Sequence, residues 1–295
     1  MRSRKITLDN ILNYEIKDFR SLFEKKVYSG NFLLDSITVD DILAREEEDS
    51  EEEKNLILFF SEIESVYEGV RELLSNLKRN YSKYTKALKK SGINRRPVKG
   101  TGFIRLDPVM EIDRTRYNRY VAKSKRIVVR NSGRALSELC TLWDNTAETL
   151  WYLYEADLPF IKARFPDIYC PLKDRKELHP FFRRAGVKLD RNKSACLQEG
   201  TLKELITYRN NVRHGVVGIS RAYGYTFNAI HERWIELVDH YEQKNRRIKV
   251  LIPEEWIELV VESYPHYVEC YNVLIDALRD LGNLGNFKRG DLGED

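Results

Sequence analysis

A chain of 295 residues, 42% hydrophobic and 33% charged, can bury a sizeable core and reads as a globular protein of one large or two modest domains. No apolar run approaches the roughly 18 residues of a membrane span, and Met1-Arg2-Ser3-Arg4-Lys5 leads into an amphipathic pattern instead of a leader core, so no membrane partner and a cytoplasmic location are expected. The net charge is only +4, yet 15 Lys and Arg stand against 3 acids from Lys86 to Arg134, while Asp40 to Glu53 holds 9 acids and one Arg; such segregation says more about partners than the total does.

In chain order, Leu8, Ile11, Leu12, Ile16, Phe19 and Phe23 recur at helical spacing and predict a first helix over 8–27, with a turn at Ser29-Gly30-Asn31. A short helix is expected after Asp40. A long helix is expected over 54–90, with Leu56, Phe59, Ile63, Val66, Val70, Leu73, Leu77, Tyr81, Tyr84 and Leu88 on its inner face. Ser91-Gly92, Arg96-Pro97 and Lys99-Gly100-Thr101-Gly102 break it. They separate an N-terminal helical region, 1–92, from a basic connector, 93–130. Residues 132–157 predict a second strong helix through Leu136, Leu139, Cys140, Trp143, Ala147, Leu150, Trp151 and Tyr154. Pro159, Pro166, Pro171 and Pro180 then force an irregular excursion. Helices are expected over 200–214, 226–246 and 253–281, the last opened by Pro253 and stopped by Gly282, before a loose Gly-rich tail, 283–295. The expected fold class is all-α, with a helical bundle over 131–282 and the long helix in the N-terminal region.

Cys140, Cys170, Cys196 and Cys270 form no CxxC pair, so reduced thiols are expected instead of a disulfide framework or zinc site. His179, His231, His240 and His266 form no HExxH grouping, and no GxxxxGK or GxGxxG loop occurs, so no metal and no cofactor is expected. The basic tract points to nucleic acid. Arg114, Arg116 and Arg119 interleave with Tyr117 and Tyr120, followed by Lys123, Lys125 and Arg126, so phosphate-binding cations alternate with rings able to stack on bases. The alternative is a solvated face, or an interface to the acidic segment Asp40 to Glu53.

The chemistry concentrates in Arg209-Asn210-Asn211-Val212-Arg213-His214-Gly215, which closes the helix led in by Leu202, Leu205 and Ile206. Transesterification at an RNA phosphate needs a proton shuttle near neutral pH and a fixed cation for the charge that develops on the phosphoryl oxygens. His214 and Arg209 supply one of each, with Arg213 a further contact to RNA. Asn210 and His214 are an i,i+4 pair, so the amide can hold the imidazole in one tautomer. Arg209 falls at the margin of the apolar stripe, where a guanidinium needs a partner or a ligand. A second Arg-to-His spacing, Arg233 to His240, lacks the polar residue after the Arg and the closing glycine. The bland reading is a snorkelling Arg and a His at a helix C-terminus.

The string, set in a helical segment over about half the chain, resembles the Arg-polar-x-x-x-His signature of HEPN ribonucleases found in prokaryotic toxin–antitoxin, abortive-infection and CRISPR-linked defence systems. The resemblance implies a HEPN-like helical bundle acting as a metal-independent endoribonuclease. Arg209 would stabilise the scissile phosphate, Asn210 would order the site and His214 would move the proton. Two copies of the motif make one composite site in that family, so the single copy here implies a homodimer. An antitoxin or other defence-system protein is the implied partner. Where some family members carry a modifiable Tyr two residues after the His, this chain has Val216. The alternative function is a non-catalytic HEPN-like module that binds RNA, a nucleotide or a protein.

Overall fold

The structure, a computed structural model, describes residues 7–23, 51–91, 95–97, 104–106, 114–190, 192–213, 225–231, 234–239, 244–249, 253–282 and 284. The chain folds as two compact units, each built from three separate stretches. Asn13–Val70, Glu138–Lys203 and Ser263–Asp295 form one, named here for Trp143; Met1–Leu12, Arg71–Ser137 and Glu204–Glu262 form the other, named for Trp256.

The longest helix, α1 (Glu51–Ser91), forms where the 54–90 helix is expected. Its buried positions step by three and four through Leu56, Phe60, Ile63, Tyr67, Val70, Leu74 and Leu77, and resume two turns on at Tyr84 and Ala87. Phe59, Val66 and Leu73, expected at the centre of that face, are half-buried instead. The stripe is two rows wide, and the aromatic Phe60 and Tyr67 hold the inner row by stacking on Phe19 and Tyr264 at 5.3 and 5.9 Å.

The predicted 8–27 helix is corrected for its described part. Only the short 3-10 turns Ile11–Asn13 and Phe19–Leu22 form, and the chain between them belongs to no helix or strand. The cause is competition for backbone groups. Tyr14 C=O accepts from the Tyr67 and Tyr264 hydroxyls at 3.1 and 2.9 Å. Ile16 N–H donates to Tyr67 Oη at 3.3 Å and Lys17 N–H to Asn272 Oδ1 at 2.6 Å. Asp18 Oδ1 caps the second turn at Arg20 N–H, 2.9 Å. Helix hydrogen bonds would have to displace all of these.

β1 (Arg95–Pro97) and β2 (Ile104–Leu106) pair antiparallel, with Arg95 opposite Leu106. The expected connector over 93–130 is helical from Arg114: α2 (Arg114–Leu153) is 40 residues long and takes in the helix expected from residue 132. The proline-rich stretch holds α3 (Tyr169–Leu172) and α4 (His179–Ala185), with a hairpin of β3 (Val187–Leu189) and β4 (Ala195–Leu197) that the irregular reading missed. Gly186, at φ +76°, closes α4 by donating to Phe182 and Arg183 carbonyls.

α5 (Thr201–Arg213) matches the expected motif helix. The predicted 226–246 helix is overturned: β5 (Tyr225–His231), β6 (Trp234–Asp239) and β7 (Lys244–Lys249) form an antiparallel sheet in the order β5-β6-β7. Tyr225, Thr226, Phe227, Ile230, Trp234, Ile235 and Val238 favour extended backbone, and two residues between His231 and Trp234 suit a hairpin link. Phe227 pairs with Leu237 and Ile230 with Ile235 across a register break between Phe227 and Ala229. The expected all-α class is thereby corrected to mostly helical. The last helix, α6 (Pro253–Asp280), runs close to its expected bounds, and Gly282 sits beyond it at φ +106°. Among the described residues no helix is long and apolar enough to cross a membrane. The short helix after Asp40 and the 283–295 tail, apart from Leu284, lie outside the described residues.

The core of the Trp143 unit is aromatic. Trp143 is 1% exposed, with the rings of Phe165, His266, Tyr267 and Phe181 at 4.9, 6.0, 5.3 and 6.4 Å. Tyr267 Oη lies 3.1 Å from Thr146 Oγ1, which donates to Leu142 C=O, whereas the buried Trp143 Nε1 has no hydrogen-bond partner among the described residues. Arg20 grips Glu64 with both guanidinium arms, at 3.1 and 2.9 Å, while its plane covers Phe19.

Candidate functional site

Arg209 lies near the end of α5 and is half-buried. The helix is seated by Leu202 and Leu205, which are 2% and 0% exposed, with Ile206 half-buried beside them. Arg209 thus falls at the edge of the apolar stripe, as its spacing predicts. Asn210 and Arg213 occupy the last turn of the same helix, and His214 lies outside the described residues.

The residue before Arg209 fixes its setting. Tyr208 packs edge-on against Trp256 of α6, with ring centroids 4.8 Å apart at 81°. Gly133 of α2 completes the contact. A Cβ there would lie 3.3 Å from both Trp256 Cζ3 and Tyr208 Oη, tight enough that the two rings would have to give by a few tenths of an ångström to admit it. Neither Tyr208 nor Gly133 stood out in the sequence; a lone glycine inside an otherwise strong helix pattern was the available signal.

Around this contact the charge is acidic as well as basic. Glu262 on α6 is held above its ordinary pKa by burial, and by the nearby carboxylates Glu258 and Glu204, the latter on α5. The Trp256 unit also has a groove of about 1240 Å³ along α1 and α6, with Lys78, Arg79, Lys83 and Lys86 among its lining and Glu254, Glu258 and Glu262 opposing them. Carboxylates facing the cations make this groove a poor cradle for a polyanion.

Arg114, Arg116, Tyr117, Arg119 and Tyr120 are carried by the first two turns of α2. Lys123, Lys125 and Arg126 follow and are exposed, whereas Val121, Ser124 and Val128 between them are buried. Lys123, Lys125 and Arg126 therefore stand away from the buried face of α2 that Val121, Ser124 and Val128 mark. Cys140, Cys170, Cys196 and Cys270 are free thiols. Among the described residues no three His, Cys, Asp or Glu converge as ligands for a metal ion. No family model, curated protein or solved structure matches the chain.

Proposed function

We propose that the protein is a metal-independent endoribonuclease of the HEPN type, acting as a toxin or anti-phage effector. The observation that carries this reading is Arg209: a guanidinium at the margin of a seated helix, one turn before the chain continues to His214. Cations so placed suit a phosphate better than bulk water. In the proposed reaction the RNA 2′-hydroxyl attacks the adjacent phosphorus and the bond to the 5′-oxygen breaks. His214 takes or returns the proton, and Arg209 stabilises the charge on the non-bridging oxygens. Asn210 holds the imidazole. The products are a 2′,3′-cyclic phosphate and a 5′-hydroxyl.

The Tyr208–Trp256–Gly133 contact supports the reading by fixing the helix that bears the Arg. One motif copy makes a homodimer the proposed active unit, and an antitoxin or other defence-system protein its proposed regulator. The exposed cations of α2 are the proposed RNA contacts.

Incubating the full chain with total RNA in EDTA and mapping the cut ends tests the proposal. Cyclic phosphate and 5′-hydroxyl ends are expected, with cleavage about 10²- to 10⁴-fold slower in His214→Ala and comparably impaired in Arg209→Ala. Cleavage that depends strictly on added Mg²⁺, or that survives His214→Ala, overturns it.

A further inference from the structure

We propose that a cationic pocket between α4 and α6 binds the phosphate of a small phosphate monoester. Six side chains line it: Lys176, His179, Pro180, Arg183 and Arg184 from the 176–184 stretch, and His266 from α6. The stretch coils continuously from a 3-10 turn, Lys176–Leu178, into α4. Steps of three and four residues therefore place Lys176, His179 and Arg183 on one side of it.

Arg184 supplies the framework. Its guanidinium pairs with Glu269 of α6, tying α4 to that helix and bringing His266, one turn before Glu269, into the wall. Among the described residues neither Lys176 nor Arg183 is paired with a carboxylate. The pocket thus joins one ammonium, one unpaired guanidinium and a second guanidinium already oriented by Glu269. Two imidazoles complete it. His179 Nε2 lies 2.8 Å from Lys173 C=O, so that nitrogen donates to the chain, and Nδ1 donates to a phosphate oxygen when the ring is the imidazolium.

His266 is held below its ordinary pKa by burial and by Arg184, against an opposing pull from Glu269. Nearby Cys270 lies 3.9 Å from its Nε2, with a thiol pushed up to about 12, so it contributes no competing negative charge near neutral pH. Excess cation with forked and mobile donors matches a phosphate dianion, which accepts on three oxygens. The volume, about 740 Å³, exceeds a lone phosphate and falls in the usual range for a small ligand, so an organic group is expected behind the phosphoryl. This inference is independent of the ribonuclease reading, because its test reads binding and not cleavage.

The experiment titrates the full chain with AMP, inorganic phosphate and adenosine by calorimetry, in wild type, Lys176→Gln/Arg183→Gln, and Lys78→Gln as a control. Saturable AMP binding displaced by phosphate, absent for adenosine, is expected, with affinity lowered about tenfold or more in the double variant and unchanged in the control. Stronger binding of phosphate than of AMP overturns the monoester assignment, and equal affinity in wild type and double variant overturns the pocket. Should the double variant unfold, the ring resonances of His179 and His266 decide in the wild type: AMP is expected to shift both, and unmoved resonances overturn the proposal.

Discussion

Trp143 and Trp256 show what separates the two units. Trp143 is 1% exposed within a cluster of four other rings, far along the chain from the Arg209 motif. Trp256 is also buried, at 6%, but its ring meets the motif helix itself through Tyr208. One ring anchors an aromatic core; the other packs against the helix that carries Arg209. Substitutions around the first should therefore register as lost stability, and those around the second as a smaller loss of stability accompanied by lost cleavage.

The sharpest way to break that contrast is Trp143→Ala, which should cost about 3–5 kcal/mol, read as a lowered urea midpoint. A loss below about 1 kcal/mol removes Trp143 from the role of anchor. Gly133→Val tests the other side. Its Cβ would already meet Trp256 and Tyr208 at 3.3 Å, and two further methyls must push them apart. The cost should be about 1–3 kcal/mol of stability together with an RNA cleavage rate about tenfold lower. Unchanged kinetics would detach the contact from function.

A smaller effect sharpens the comparison within α2. Replacing Arg114, Arg116 and Arg119 by Ala should weaken RNA binding across sequences and flatten its salt slope by up to about 0.7 per lost contact, measured by titration in graded salt. Tyr117 shares the register of Val121, Ser124 and Val128, which are buried, so Tyr117→Ala should lower the melting temperature more than the affinity. The opposite result assigns that ring to base stacking.

The smallest effect is a pH dependence in the Trp143 unit. His266 is depressed from 6.5, so the unfolded chain takes up its proton first. Stability from this group is full above pH 6.5 and declines as pH falls from there through the lower folded-state value. His266→Gln should lessen the loss of melting temperature between pH 7.5 and 5.5; an identical loss in the variant would rule His266 out as its source.

The long helices were legible because their periodicity repeats over many turns: α1 alone spans 41 residues, enough for the 3.6-residue rhythm to dominate any local exception. The same rhythm misled over 8–27, where Ile11, Phe19 and Phe23 do reach the core but the backbone bonds to side chains far along the chain. Between 226 and 246 the apolar spacing fits a helix and a strand pattern at once, and aromatic and β-branched content decided for the sheet. Arg209 was readable as a cation at the edge of an apolar stripe. Its supports were not, since Gly133 and Trp256 lie 76 and 47 residues from it in sequence. The Lys176, His179 and Arg183 spacing was present too, hidden by reading the prolines around it as irregular chain.

The irregular link from Tyr14 to Asp18 has a consequence for labelling in heavy water. The amides of Ile16 and Lys17 belong to no helix or strand, yet both donate to side-chain oxygens from α1 and α6, Tyr67 Oη and Asn272 Oδ1. They should exchange as slowly as amides of a packed helix, and only when Tyr67 and Asn272 let go. Proteolytic clipping before residue 13 should leave that protection intact. Clipping after Lys17 should abolish it, and would strand the Tyr67 and Tyr264 hydroxyls without the Tyr14 carbonyl that receives them.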